Sequence, residues 1–145
     1  MADIETKLEL TGLANKLFMY TDSRDWQKLI DEVFTEYVDF DMSSAGAGPA
    51  KNLKALEICK MWKQGFHGID SVHHQAGHYL ITVNETSAEI YAYAVAMHFK
   101  KVATKGNTRS FVGSYNLQAT NTEQGWRLTG FTYNLKFIDG NKELE

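Results

Sequence analysis

The sequence predicts an α+β domain in which helices pack on one face of a curved sheet. Apolar residues recur at helical spacing through the first half of the chain, and long runs with period-two alternation fill the second half. Helices that precede an antiparallel meander are typical of this class. The 145 residues suffice for one good hydrophobic core, and no linker or repeat divides them, so we expect a single domain over residues 1–145.

Three helices are expected in the first half. The first covers roughly residues 4–22 and buries one apolar stripe. Asp22 lies at its last turn, near that stripe, where the negative end of the helix dipole favours pairing the carboxylate with a cation or a histidine. Asp25 is expected to cap the second helix and Asn52 the third, which ends within residues 65–68.

The remaining elements are expected to be strands. A short strand carries alternating apolar and acidic residues, and four longer runs follow the third helix. From Asp139 onward the chain is polar, and we expect a mobile tail there. The expected strands cover residues 38–42, 72–83, 87–101, 110–120 and 126–138.

The segment SAEIYAYAVAMHFKK, residues 87–101, predicts the floor of a pocket. Small side chains at successive inward positions leave space for a ligand, and His98 at the end of this face can donate, accept or move a proton near neutral pH. The opposite face is large, apolar and aromatic, so we expect a second copy of the chain to cover it in a dimer or trimer. The pocket face comprises Ala88, Ile90, Ala92, Ala94, Ala96 and His98.

Composition excludes several classes of partner. A net charge of -3 and a pI near 5.9, with scattered Lys and Arg, provide no basic surface for nucleic acid. No apolar run is long enough to span a membrane, and the N-terminus is acidic where a signal peptide would be basic, so we expect a cytoplasmic protein. The single cysteine, Cys59, lies on an apolar helical face and is interpreted as an inert thiol.

Five short segments carry a resemblance to a known family. The chain resembles the SnoaL-like branch of the nuclear transport factor two-like (NTF2-like) superfamily, and within it the scytalone dehydratases. The resemblance implies a cone-shaped, cystatin-like fold, in which three N-terminal helices pack on the concave face of a curved mixed or antiparallel sheet. The segments are YTDSRDW at 20–26, SVHHQAG at 71–77, AMHFKK at 96–101, GSYNL at 113–117 and GWRLTG at 125–130.

The resemblance also implies a site. The pocket of the scytalone dehydratases uses an aspartate, two histidines, a serine and an asparagine, and it holds a water between two tyrosines. The tyrosine positions correspond here to Thr21 and Met42, with Tyr20 one residue away, so Tyr20 and Met42 are expected at the substrate. By motif position the five polar groups fall on Asp22, His73, His98, Ser114 and Asn116.

These groups suit proton transfer at carbon without a metal or cofactor. A histidine oriented by Asp22 can take a proton next to a carbonyl, and a second histidine can polarise the oxygen or protonate a leaving hydroxyl. Which of His73 and His98 is the base stays open. Ser114 and Asn116 would donate to a substrate oxygen. The expected chemistry is that of a cofactor-independent dehydratase, isomerase or cyclase acting on a small apolar or cyclic carbonyl compound.

Other interpretations remain open for several of these residues. Asp41 is a second candidate base, because the ketosteroid isomerases share the fold and place an aspartate on the early strand. His74 and His78 are interpreted as packed or partly exposed strand residues, and the histidine run lacks the acidic or cysteine ligands that would indicate a metal. Ser114 and Asn116 can also hydrogen-bond within the sheet.

A non-catalytic ligand-binding or oligomer-assembly module is the alternative function, since one fold hosts many roles. Convergence of the aspartate and the histidines on a closed cavity would favour the enzyme. Imidazoles that point outward, or a cavity filled by side chains, would favour the module.

Overall fold

A computed structural model describes residues 3–145, which form three helices and a curved, open, six-stranded sheet. Helix α1 is Ile4–Asp22, α2 is Trp26–Lys28 and continues as a π-helix over Leu29–Val33, and α3 is Ala55–Gly65; a short 3-10 helix covers Ser43–Ala45. The strands are β1 Phe34–Asp41, β2 Lys51–Lys54, β3 Ser71–Asn84, β4 Ser87–Phe99, β5 Thr108–Thr122 and β6 Gly125–Gly140. The predicted α+β class is confirmed.

The sheet is mixed, with the order β2-β1-β6-β5-β4-β3. Strands β3 to β6 form the antiparallel meander that the sequence predicts. Strand β1 joins it by pairing in parallel with β6, and β2 pairs antiparallel with β1 at the edge. The cone-shaped mixed sheet with its helices on the concave face is therefore confirmed.

Helix α1 lies against the inner face of the sheet. It starts where the Asp3 side chain accepts a hydrogen bond from the backbone N–H of Thr6 (2.7 Å), which caps the first turn. Its apolar stripe is buried against the core. On β4 the alanine face points inward, with Ala92 fully buried, while Tyr93 on the other face is 44% exposed. The face with small side chains is thus the inner one.

The second helix starts where the sequence predicts, and the third does not. Asp25 occupies the N-cap position of α2 as predicted, although its side chain makes no capping hydrogen bond, and the helix after it converts to a π-helix within three residues. Asn52 lies in β2, where its Nδ2 donates to Asp39 Oδ1 (2.9 Å), and α3 begins three residues later. Residues 51–54 pair with β1, and this tertiary pairing overrides the local helix signal.

The C-terminal segment is packed through a buried leucine and extends β6, so the predicted mobile tail is wrong. Asp139 lies within β6, and Leu144 is only 3% exposed. Leu144 packs with Ile69 and Val72, which form a small apolar cluster beside Phe66. The polar composition of the tail obscured the one leucine that finds a buried position.

The outer face of the sheet is exposed in this structure. Tyr93, Met97, Phe99 and Phe137 all lie open to solvent. None of the helices between residues 3 and 145 has both the length and the hydropathy needed to cross a bilayer.

We expect Gly113→Ala to destabilise the fold, because a Cβ at this position would lie 2.3 Å from the carbonyl oxygen of Asn134 and 2.8 Å from the Tyr133 hydroxyl. Overpacking of this kind lowers the free energy of unfolding by about 1–3 kcal/mol. Gly77→Ala is the matched control on the same sheet, since no atom lies within 4 Å of its Cβ position. Urea unfolding measures both variants, and equal stability of the two would contradict the packing.

Candidate active site

The inner face of the sheet and helix α1 border a cavity of about 130 Å³. Its walls are mostly aromatic and aliphatic, and few polar groups reach it. An apolar cavity with a small number of polar groups is typical of small-molecule sites. The lining residues that bear on chemistry are Thr21, His74, His98, Tyr115 and Tyr133, and Met42 also lies in the wall.

Asp22, the last residue of α1, binds His74 on β3 through both carboxylate oxygens. His74 Nδ1 donates to Oδ1 at 2.6 Å, and the His74 backbone N–H donates to Oδ2 at 2.8 Å. Because a carboxylate only accepts, the ring proton lies on Nδ1 and Nε2 remains available to a ligand. The ring of Phe18 stacks on the imidazole with centroids 5.5 Å apart. The contacts fix both the tautomer and the plane of His74.

His98 on β4 is buried at the end of the alanine face, with 9% exposure. Its Nδ1 accepts a hydrogen bond from Arg109 Nε–H at 3.0 Å, and its ring packs edge-on against Phe66 with centroids 5.7 Å apart. Burial lowers the pKa of His98 to about 4, helped by the charge of Arg109 and by the neighbouring His74 and opposed by Asp22. His98 is therefore neutral at neutral pH.

The two imidazoles face the same space from neighbouring strands. His74 pairs with Ala96 across the sheet, so His98 is its diagonal neighbour on the same face. The Cα atoms of such diagonal neighbours are about 7–8 Å apart, so a single small ligand can reach both side chains.

Tyr115 and Tyr133 pair across β5 and β6 in the cavity wall, with ring centroids 4.9 Å apart. Burial raises the pKa of Tyr133 to about 12 and also raises the pKa of Tyr115, so both phenols stay protonated. The buried Tyr133 hydroxyl has no hydrogen-bond partner within the part of the chain that the structure describes. Burying a hydroxyl without a partner costs free energy.

The structure brings His74 to Asp22, whereas the sequence predicts that Asp22 orients His73 or His98. His73 is exposed on the outer face, where its Nε2 lies 3.3 Å from Gln75 Oε1. The sequence contained a signal for this: Val72 and Ala76 are apolar while residues 71, 73 and 75 are polar, so period-two alternation turns His74 inward.

Ser114 and Asn116 also lie away from the cavity, on the outer face of β5. Asn134 Nδ2 donates to Asn116 Oδ1 (3.0 Å) and to Ser114 Oγ (3.4 Å), and Asn116 Nδ2 donates to Glu89 Oε1 (3.1 Å). The expectation that they contact a substrate in the pocket is corrected, because the large apolar residues of β5 take the inner face. The polar pair hydrogen-bonds within the sheet instead.

Three further candidates have distinct positions. Met42 lines the cavity as expected, whereas Tyr20 does not and instead lies under the Lys28 ammonium, 5.3 Å from its ring centroid. Asp41 lies outside the cavity, and hydrogen bonds from Ser43 lower the pKa of its carboxyl, which makes it a weaker base. The alternative base is thus poorly placed for chemistry in this cavity.

Two features of the site were not predicted from the sequence. Arg109 bonds His98 only because β4 and β5 pair in a register that places these residues opposite each other. Tyr133 reaches the cavity from the last strand. Across residues 3–145, no group of three or more His, Cys, Asp or Glu side chains is arranged to hold a metal ion.

The sequence model of the SnoaL-like domain family matches residues 2–132. The chain belongs to this family. No curated protein matches the sequence. The fold also occurs in several solved structures that share little sequence with the chain, among them three that cover nearly its whole length.

The Kfla4162 protein from Kribbella flavida has a TM-score of 0.91 at 24% identity, with 98% of each chain covered. A candidate scytalone dehydratase from Novosphingobium aromaticivorans has a TM-score of 0.79 at 12% identity, covering 96% of this chain and 92% of its own. An NTF2-like superfamily protein from Salmonella enterica has a TM-score of 0.77 at 15% identity, covering 98% of this chain and 99% of its own. At these identities the likeness establishes the fold.

We expect the stability of the protein to fall in mildly acidic solution because of His98. Histidine in the unfolded chain titrates near pH 6.5, whereas the pKa of folded His98 is about 4. The unfolded chain therefore binds the proton first, and a contribution of roughly 3 kcal/mol, complete above pH 6.5, is lost as the pH falls towards 4. Urea unfolding measured across this pH range should show that the free energy of unfolding changes less with pH in His98→Gln than in the exposed control His78→Gln. An equal pH dependence in the two variants would contradict a buried neutral His98.

We expect Tyr133→Phe to leave the ligand-free protein as stable as the wild type or more stable by about 1 kcal/mol, because it removes an unpartnered buried hydroxyl. Tyr79→Phe is the matched control, since the Tyr79 hydroxyl donates to Asn15 Oδ1 at 2.7 Å and its loss should destabilise. Thermal unfolding distinguishes the two. A Tyr133→Phe variant that is less stable than Tyr79→Phe would show that the hydroxyl has a partner.

Proposed function

We propose that this SnoaL-like protein is a small-molecule lyase or isomerase that transfers a proton at a carbon next to a carbonyl. The observation that carries the proposal is the contact of Asp22 with His74 in the wall of an apolar cavity. A histidine oriented by a carboxylate is a general base of the kind that such proton transfers need. Asp22, His74 and His98 are the proposed catalytic group.

In the proposed reaction, His74 Nε2 takes the proton from the carbon. The Asp22 carboxylate, bonded to Nδ1–H, stabilises the imidazolium that forms. The electron pair of the broken C–H bond moves into the carbonyl group and places negative charge on its oxygen. The imidazolium then returns its proton, either to another carbon in an isomerisation or to a leaving hydroxyl in a dehydration.

His98 is proposed to hydrogen-bond the carbonyl oxygen as its charge develops. Its low pKa keeps the ring neutral, so it stabilises the enolate by donating a hydrogen bond without giving up a proton. Because few polar groups line the cavity, such a bond is stronger there than it would be in water.

The cavity indicates an uncharged, ring-sized ligand. Its volume of about 130 Å³ is close to that of an apolar cavity that holds benzene, which is roughly 150 Å³. Neither a lysine nor an arginine lines it, and His74 is already paired with Asp22. A carboxylate or phosphate on the ligand would therefore gain no cation. A small cyclic carbonyl compound fits these walls.

The assignment is tested by His74→Gln and Asp22→Asn, with His73→Gln as the matched control on the adjacent outward-facing residue. A panel of cyclic ketones in D₂O, followed by proton NMR for exchange at the carbon next to the carbonyl, reports the proton transfer directly. The first two variants should lose at least about 100-fold in exchange rate, and His73→Gln should retain the wild-type rate. Activity that survives His74→Gln, or falls equally in His73→Gln, would refute the assignment.

Self-association through the outer sheet face is proposed as a second property, favoured by the exposed Tyr93, Met97, Phe99 and Phe137. Burying such a face would remove apolar surface from water. Light scattering at micromolar concentration should give the mass of a dimer or trimer, and Met97→Lys should shift it towards the monomer. A monomeric wild type would refute self-association through this face.

A further inference from the structure

His98 is held from three sides, and Arg109 provides the only polar contact to its ring among the described residues. The two residues face each other across β4 and β5, and Arg109 Nε–H donates to His98 Nδ1 at 3.0 Å. The rings of Phe66 and Phe111 pack against the imidazole with centroids at 5.7 and 5.3 Å. The aromatic contacts restrict the ring plane but cannot choose between its nitrogens.

Arg109 is itself anchored by the C-terminal segment. Its Nη1 donates to the backbone carbonyl of Lys142 at 2.9 Å, and its guanidinium lies over the Phe111 ring, 5.3 Å from the centroid. Asn141 ties the segment to β5 through a backbone hydrogen bond to Thr108 (2.9 Å). The buried side chain of Leu144 packs beside Phe66, which also contacts His98. The last five residues thus support both the donor and the ring.

The chemistry of the donor determines the state of His98. A guanidinium has no lone pair to offer and only donates, so the nitrogen facing it must be unprotonated. In a neutral imidazole the proton then lies on the other nitrogen, Nε2. His74 is in the opposite situation, because its Nδ1 faces the carboxylate of Asp22, which only accepts.

We propose that Arg109 is a positioning residue that fixes His98 as the Nε2–H tautomer, so that the cavity presents a hydrogen-bond donor at His98 and an acceptor at His74. The consequence for ligand recognition rests on the proposed function, in which His98 binds the carbonyl oxygen. The ligand class that follows has a hydrogen-bond acceptor near His98 and an acidic C–H near His74. A molecule with a donor at the first position would meet a donor and be rejected.

Arg109→Gln and Arg109→Met form a matched pair for testing this proposal. The side-chain nitrogen of glutamine occupies the position of arginine Nε, so Arg109→Gln keeps an N–H towards His98, whereas Arg109→Met replaces it with a methyl group of similar size. Nitrogen-15 NMR of the histidine rings reads the protonation of each nitrogen without a substrate. The wild type and Arg109→Gln should show His98 with Nδ1 unprotonated and Nε2 protonated, and Arg109→Met should show the Nδ1–H form appearing.

The wild-type spectrum alone can overturn the proposal, even if Arg109→Met fails to fold. A His98 protonated on Nδ1 at neutral pH, or the absence of nitrogen–nitrogen coupling between Arg109 Nε and His98 Nδ1, contradicts it. So does an Arg109→Met variant that folds and keeps only the Nε2–H form. Because tautomers are read without turnover, the inference can stand if no proton transfer is found, and it can fail while the exchange reaction is intact.

Discussion

The bond between Asp22 and His74 is the interaction on which the proposed site depends. It joins the end of α1 to the first part of β3, through two residues that are 52 positions apart in the chain. A carboxylate at a helix C-terminus faces the negative end of the helix dipole, so it needs a donor nearby. The backbone N–H and the ring of His74 supply two, at 2.8 and 2.6 Å. One contact therefore satisfies the helix end and orients the imidazole.

Two identical side chains acquire different roles because their partners differ. Asp22 accepts from one imidazole and Arg109 donates to the other, within an otherwise apolar enclosure. Burial keeps His98 neutral, and the low polarity of the walls strengthens whatever hydrogen bonds a ligand makes there. The alanines of β4 leave the space, and the aromatic residues of β5 and β6 fill only part of it.

The sequence predicted most of the fold because the signals are local: helical spacing in α1 and alternation in four long strands. It missed β2, because four residues become a strand only by pairing with β1. In the site, the inner face of β4 followed from its alanines, but His74 was passed over although alternation around Val72 turns it inward. A shift of register between Gly77 and Leu80 interrupts that alternation. Arg109 could not be found from sequence, since its contact depends on strand register.

The most direct test of the account is proton NMR of the strongly downfield region, where a short hydrogen bond between an imidazole and a carboxylate has a characteristic resonance. The 2.6 Å contact predicts such a resonance for the Nδ1 proton of His74, and it should vanish in Asp22→Asn and in His74→Gln while persisting in His73→Gln. A wild-type spectrum without the resonance, or a resonance that survives loss of the carboxylate, would contradict the oriented base at the centre of the proposed chemistry.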